Sequence, residues 1–242
     1  VILIAKLVVW LGPSMGGLVA GLPVGLGPGF YFLIDEGNRS FLFQSSLHSL
    51  VALSATQFFL LGYLVLAKFF SPIGCSLISV GIWVFFMSVF YQIDFNLLQA
   101  SFLFIVSTIV TRYIGSLFLL QDRVEKKSEN DLILFLRALA GGLIVAIVTV
   151  FASALGAQLS GVLLAFPIAY VLISFNIHKG FGEITVTKVV YSAILGTISL
   201  AVFCIVFAVF LHKAPLIYVL CISLIGSCLL YTSPSPRDYT RS

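Results

Sequence analysis

Two glycine- and proline-rich strings, 144 positions apart, hold the residue types best suited to chemistry in this sequence. In the first, Gly17, Gly21, Gly25 and Gly29 recur every four residues, with Pro23 and Pro28 among them. Glycine at helical spacing lets a neighbouring backbone come close. Proline removes a backbone donor and leaves carbonyls free. Inside a bilayer those carbonyls must turn to protein or to water in a cavity, so an interrupted apolar helix can line a solute site. In the second string Gly156, Ser160, Gly161, Ala165, Pro167 and Ala169 fall on Gly12, Gly16, Gly17, Gly21, Pro23 and Gly25 without a gap. Gly21, Pro23, Gly25, Gly27, Pro28, Ala165 and Pro167 are therefore the substrate-binding candidates. Gln158 joins them from the second string, and Arg112 as the charge lying well inside an apolar stretch. Close packing around a proline kink, with no ligand, is the other use of the same residues.

The remaining polar residues of the apolar stretches are few. Gln57, Gln99 and Gln158 can join helices by hydrogen bonds or touch a substrate. His48 lies near the start of its stretch, where an interfacial role competes with proton relay, and Arg112 can snorkel to the interface. Every acidic residue, including Asp35, Glu36, Asp94 and Glu183, falls in a polar loop or at the end of an apolar stretch. No mid-membrane carboxylate is therefore predicted to carry a coupling ion. HExxH, P-loop and Gly-x-Ser-x-Gly strings are absent, so no catalytic residue, metal ligand or cofactor is expected. Cys75, Cys204, Cys221 and Cys228 form no CxxC pair and read as small apolar packing residues.

The elements that must position these residues are apolar helices. The 242 residues are 60% hydrophobic and 9% charged, where soluble domains carry about 25% charged residues. A run of about 20 apolar residues suffices to cross a bilayer as a helix. Nine apolar segments are legible: 1–11, 15–34, 45–69, 72–93, 96–120, 132–152, 155–175, 186–211 and 214–230. The fold expected is all-α, a polytopic transmembrane bundle with nine helices visible of ten. A net charge of +4 without a basic patch points to no nucleic acid. The expected partners are the lipid bilayer and a small solute, and the oligomeric state is left open.

The gapless register of the two strings implies a duplicated unit. Residues 1–120 form the first transmembrane repeat, 121–131 a polar connector, 132–227 the second repeat, and 228–242 a non-native tail. Five spans per repeat would invert the second relative to the first. Charge placement agrees. Lys68, Arg123, Lys126, Lys127, Arg137, Lys179 and Lys188 fall to one side, Arg39 and Lys213 to the other, which makes the first side cytoplasmic. The string from Cys228 to Asp238 resembles a translated sequencing adapter, and Val1 opens inside an apolar run, so truncation at both ends is expected.

This two-fold five-helix plan, with Gly/Pro-interrupted segments near the front of each half, resembles ten-helix inverted-repeat secondary transporters. The string from Gly21 to Pro28 is also similar to one in uncharacterised bacterial membrane proteins. The resemblance implies a multi-pass permease of the bacterial inner membrane for a small solute. A non-transporting assembly or accessory subunit is the alternative, and a membrane-embedded enzyme the third.

Overall fold

In the computed structural model, residue 23 and residues 25–36, 38–119 and 156–229 are described, and they are all helical or connect helices. Seven helices follow in order: α1 (Leu26–Glu36), α2 (Arg39–Leu66), α3 (Pro72–Phe90), α4 (Leu97–Leu117), α5 (Ala157–Leu164), α6 (Ile168–Phe210) and α7 (Leu216–Leu229). No strand occurs among the described residues. Four helical runs are long and apolar enough to cross a membrane: α2, α3, α4 and the run Ala157–Phe210. The expected segments 1–11 and 132–152, the connector 121–131 and most of the tail lie outside the described residues, so nine spans are not reached among them.

Local signals place the helix starts. Asn38 caps α2 by accepting the Phe41 N–H at 2.8 Å. Ser71 caps α3, and Pro72 follows where no donor is needed. Asn96 and Gln99 form a reciprocal capping box at the start of α4, with bonds of 2.9 and 3.0 Å. Such caps satisfy amides that no earlier turn can reach.

The polar loops expected at 35–44 and 176–185 are shorter than the polar residues in them suggested. α1 runs to Glu36 and α2 opens at Arg39. At the second site the helix passes through His178 and Lys179 and breaks only at Gly182 (φ 81°, ψ 179°). Polar side chains at a helix end reach the aqueous interface without the backbone leaving the helix. The expected span 155–175 is also corrected: it breaks at residues 165–167, between α5 and α6. Pro167 supplies no N–H, so no helical bond can form there.

The break at Gly182 reverses the chain. A straight helix of 43 residues would be about 65 Å long, yet its two arms pack along the same helix, α2. Near the start of α2, Ser45 and Ser49 donate to the carbonyls of Ala157 (3.0 Å) and Gly161 (2.9 Å). Near its end Tyr63 shares a 3.3 Å hydrogen bond with His178. Residues 157–181 therefore run parallel to α2. Beyond Gly182 the order reverses: Gln57 meets Thr197, Ser46 meets the Cys204 carbonyl, and Arg39 meets the Leu211 carbonyl. Residues 183–210 thus run antiparallel to α2.

α2 is the centre of the bundle. Its most apolar window is 72% buried, against 28% and 22% for α3 and α4. It packs against α3, α4, α5 and α6, while α7 packs on α6 and α1. Arg39 holds the foot of this arrangement, donating to the carbonyls of Leu211 and Ala214 just past the end of α6. A cation is favourable at that negative end of a helix.

Candidate functional site

Two-thirds of the way along α2, a polar cluster around Gln57 joins three helices. Gln57 is fully buried and its amide nitrogen donates to Thr197 Oγ1 on α6 (2.6 Å) and Thr108 Oγ1 on α4 (2.9 Å), with the Ile194 carbonyl at 3.5 Å. Thr111 Oγ1 lies 3.4 Å from Gln57 Oε1. Thr108 and Thr111 share one face of α4 because they are three residues apart. On the adjoining face of α2, Thr56 accepts the Trp83 indole N–H at 3.2 Å. Trp83 in turn stands edge-on to Phe166, at 4.9 Å between centroids. The break at 165–167 and the Gln57 cluster therefore share one layer. A buried amide in such a position is stabilising only when its donors are met.

The two Gly/Pro strings meet at one point. Pro23 is buried and its carbonyl accepts the Gly27 N–H at 2.9 Å. Pro28 lies in the first turn of α1 and is exposed, so it opens that helix rather than interrupting it. Gly27 and Gly29 are close-packing positions: an added Cβ would come within 2.9 Å of Leu224 Cδ2 and 2.4 Å of Leu164 Cδ2. The Gly29–Leu164 contact brings the start of α1 to the end of α5, three residues before Pro167. Ala165 and Pro167 are buried, and the Pro167 carbonyl accepts the Val171 N–H at 2.8 Å. Gly25 is exposed, and Gly21 lies outside the described residues.

Gln158 and Arg112 are not brought together. Gln158 is exposed at the end of the bundle near Ser45 and accepts the Tyr91 hydroxyl at 2.9 Å. Arg112 is half-buried towards the opposite end, where it donates to the Tyr191 carbonyl at 3.1 Å and lies 3.7 Å from the centre of the Tyr191 ring. That stacking stabilises a guanidinium among apolar neighbours. Gln99 is consumed by the capping box of α4. Of the three glutamines named in the sequence, Gln57 alone joins helices at the centre. Its threonine partners escaped the sequence reading, although Thr108 and Thr111 at helical spacing inside an apolar span were a usable signal.

No group of three His, Cys, Asp or Glu side chains that could hold a metal occurs among the described residues. In comparisons with known proteins, no family model, no curated protein and no solved structure matches this chain.

Proposed function

We propose that this chain is a secondary transporter of inverted-repeat design, moving a small solute past the Gly/Pro segment that opens α1 and the break at 165–167. One observation carries this: element boundaries recur at the same interval as the Gly/Pro strings. α2 spans 39–66 and the descending arm of α6 spans 183–210; α3 starts at 72 and α7 at 216; Pro23 precedes α1, and Pro167 precedes α6. Each pair is separated by 144 positions, and α2 is antiparallel to its counterpart. Oppositely directed copies of one unit give a carrier two equivalent ways of closing around a central site. The residues that would line it are Pro23, Gly25, Pro28, Ala165 and Pro167, with Gly21 before them, while Gly27 packs against Leu224. By charge placement the end bearing Lys68, Lys179 and Lys188 faces the cytoplasm of a bacterial cell.

A second reading, an assembly or accessory subunit without transport, is favoured by one fact. The Gln57 amide nitrogen is engaged by protein side chains, as in a static interhelical joint.

Single cysteines decide between them, in full-length protein whose native cysteines, Cys75, Cys204 and Cys221 among them, are replaced by alanine. A membrane-impermeant thiol reagent applied to intact cells should label Ser40→Cys and spare Lys179→Cys until lysis. Labelling of both on the same face would end the inverted-repeat reading. The equivalent positions Gly25→Cys and Ala169→Cys, both exposed in the bundle, should then react with a small water-soluble thiol reagent if they line a solute path. Inertness of both in properly inserted protein would leave the subunit reading.

A further inference from the structure

His178 lies near the end of the first arm of α6, shortly before the reversal at Gly182. Its Nδ1 is 3.3 Å from the Tyr63 hydroxyl of α2, and the two rings stand edge-on at 5.9 Å between centroids. Tyr63 is 0% exposed, so its hydroxyl needs a partner inside the protein. A second acceptor is at hand. Ser76 of α3 is within hydrogen-bonding reach of the same hydroxyl. The Ser76 proton goes to the Pro72 carbonyl at 2.8 Å, which leaves its lone pairs open. His178 has an alternative too. It is half-buried rather than enclosed, and the Glu183 carboxylate acts on it from beyond Gly182. Lys179 is turned along its own helix, with its amine 5.9 Å from the centre of the Phe175 ring. On the α3 side, Cys75 acts on Tyr63.

We propose that Tyr63 and His178 form a proton-operated latch at one end of the interrupted segment 157–181. With the ring neutral, Nδ1 accepts the Tyr63 O–H and holds the first arm of α6 to α2. A proton taken up from water at Nδ1 leaves both ring nitrogens as donors. The Tyr63 O–H then turns to Ser76 Oγ, and the charged ring moves towards Glu183 and the aqueous interface. Tyr63 and His178 each have a partner in both arrangements, so one proton biases a two-state element. Gly182 separates His178 from Glu183 and ends the arm, where a hinge absorbs backbone rotation. The arm begins at the break at 165–167, so its release exposes that break to the face bearing Lys68 and Lys179. The latch deepens the carrier reading, and rests on it for what the opening serves. It names the proton as the ion that gates the path, in a chain whose acidic residues all lie in loops or at the ends of apolar stretches. Its motion is measurable without any flux.

The test uses purified full-length protein in nanodiscs, with the native cysteines replaced by alanine. Ser174 is buried and lies one helical turn before His178 on the same face. Ser174→Cys should react slowly with a small water-soluble thiol reagent at about pH 8. Its rate is divided at each pH by that of Lys68→Cys, exposed at the same end, to cancel the thiol's own pH dependence. The ratio should rise several-fold as the pH falls to about 5.5, through the range where histidine takes up its proton. His178→Gln keeps an acceptor for Tyr63 and has no proton to gain, so it should hold the ratio low at every pH. Tyr63→Phe removes the bond and should leave the ratio high already at about pH 8. His178→Asn stands in should the glutamine variant fail to fold. With Tyr63 and His178 intact, a ratio that does not change with pH would overturn the latch, whatever the variants do. So would a rise undiminished in His178→Gln, which would assign the titration to His48 or His212. A rise lost in His178→Gln, with positions 40 and 179 labelled on the same face, would keep the latch and remove the carrier.

Discussion

Gly161 shows how one missing atom sets the distance between two helices. A Cβ at that position would lie 2.1 Å from the Ser45 carbonyl oxygen, which is backbone and cannot rotate away. The close approach is also what lets Ser45 and Ser49 reach the carbonyls of Ala157 and Gly161. Gly161→Ala should therefore push α5 off α2 and lose both bonds, lowering stability by about 1–3 kcal/mol. Gly81 has nothing within 4 Å of its added Cβ, and Gly81→Ala should be neutral or stabilise by about 0.5–1 kcal/mol. Thermal unfolding of both variants in detergent checks the contrast, and equal losses would contradict the packing described. The sequence marked Gly161 as a small-residue position through its register with Gly17, but which backbone it approaches depends on tertiary packing. The same limit hid Thr197 as a partner of Gln57: the two are 140 positions apart, and no local pattern links them.

Apolar runs made the helices legible but not always their ends: α2, capped by Asn38, opens at Arg39, six residues before the expected 45. The expected segment 72–93 is α3, Pro72–Phe90, because Ser71 and Pro72 fix its start. The segment 96–120 is α4, Leu97–Leu117, because Asn96 and Gln99 fix that one. Hydropathy misplaced boundaries where charged residues sit on helical backbone, as at Lys179 beside the reversal. Gly182 itself, with φ 81° and ψ 179°, occupies a region that is essentially restricted to glycine. Gly182→Ala should cost about 1–3 kcal/mol and loosen the joint between the arms of α6. The expected readouts are a lower Tm and new proteolytic cleavage near residue 182. Unchanged values for both would mean that the reversal tolerates a side chain and is not held by its glycine.

At the scale of the molecule, the proposed duplication makes a demand on packing as well as on order. Gly62 of α2 lies against Ile82 of α3, and an added Cβ there would meet Ile82 Cδ1 at 2.6 Å. The positions 144 later are Val206 and Gly226, and they too are in contact, with the Gly226 Cβ position 3.8 Å from Val206 Cγ2. Each pair holds one glycine and one β-branched residue, with the glycine on opposite partners. Thr56 with Trp83 and Ser199 with Ser227 are joined at nearly the same two levels by hydrogen bonds of 3.2 and 3.0 Å. The aromatic pair Phe59–Tyr63 of α2 likewise has Phe203–Phe207 as its counterpart, at 6.3 and 6.0 Å. If one packing scheme underlies both halves, the first half should accept the arrangement of the second. Gly62→Val alone should destabilise by overpacking against Ile82, and Ile82→Gly alone by leaving a cavity. The double variant restores one large and one small partner. It should recover part of the combined loss, with a coupling of about 0.5–3 kcal/mol measured by a double-mutant cycle in thermal unfolding. Simple addition of the two losses would show that the contacts share a level without sharing a packing rule, and the inverted-repeat proposal would lose this support.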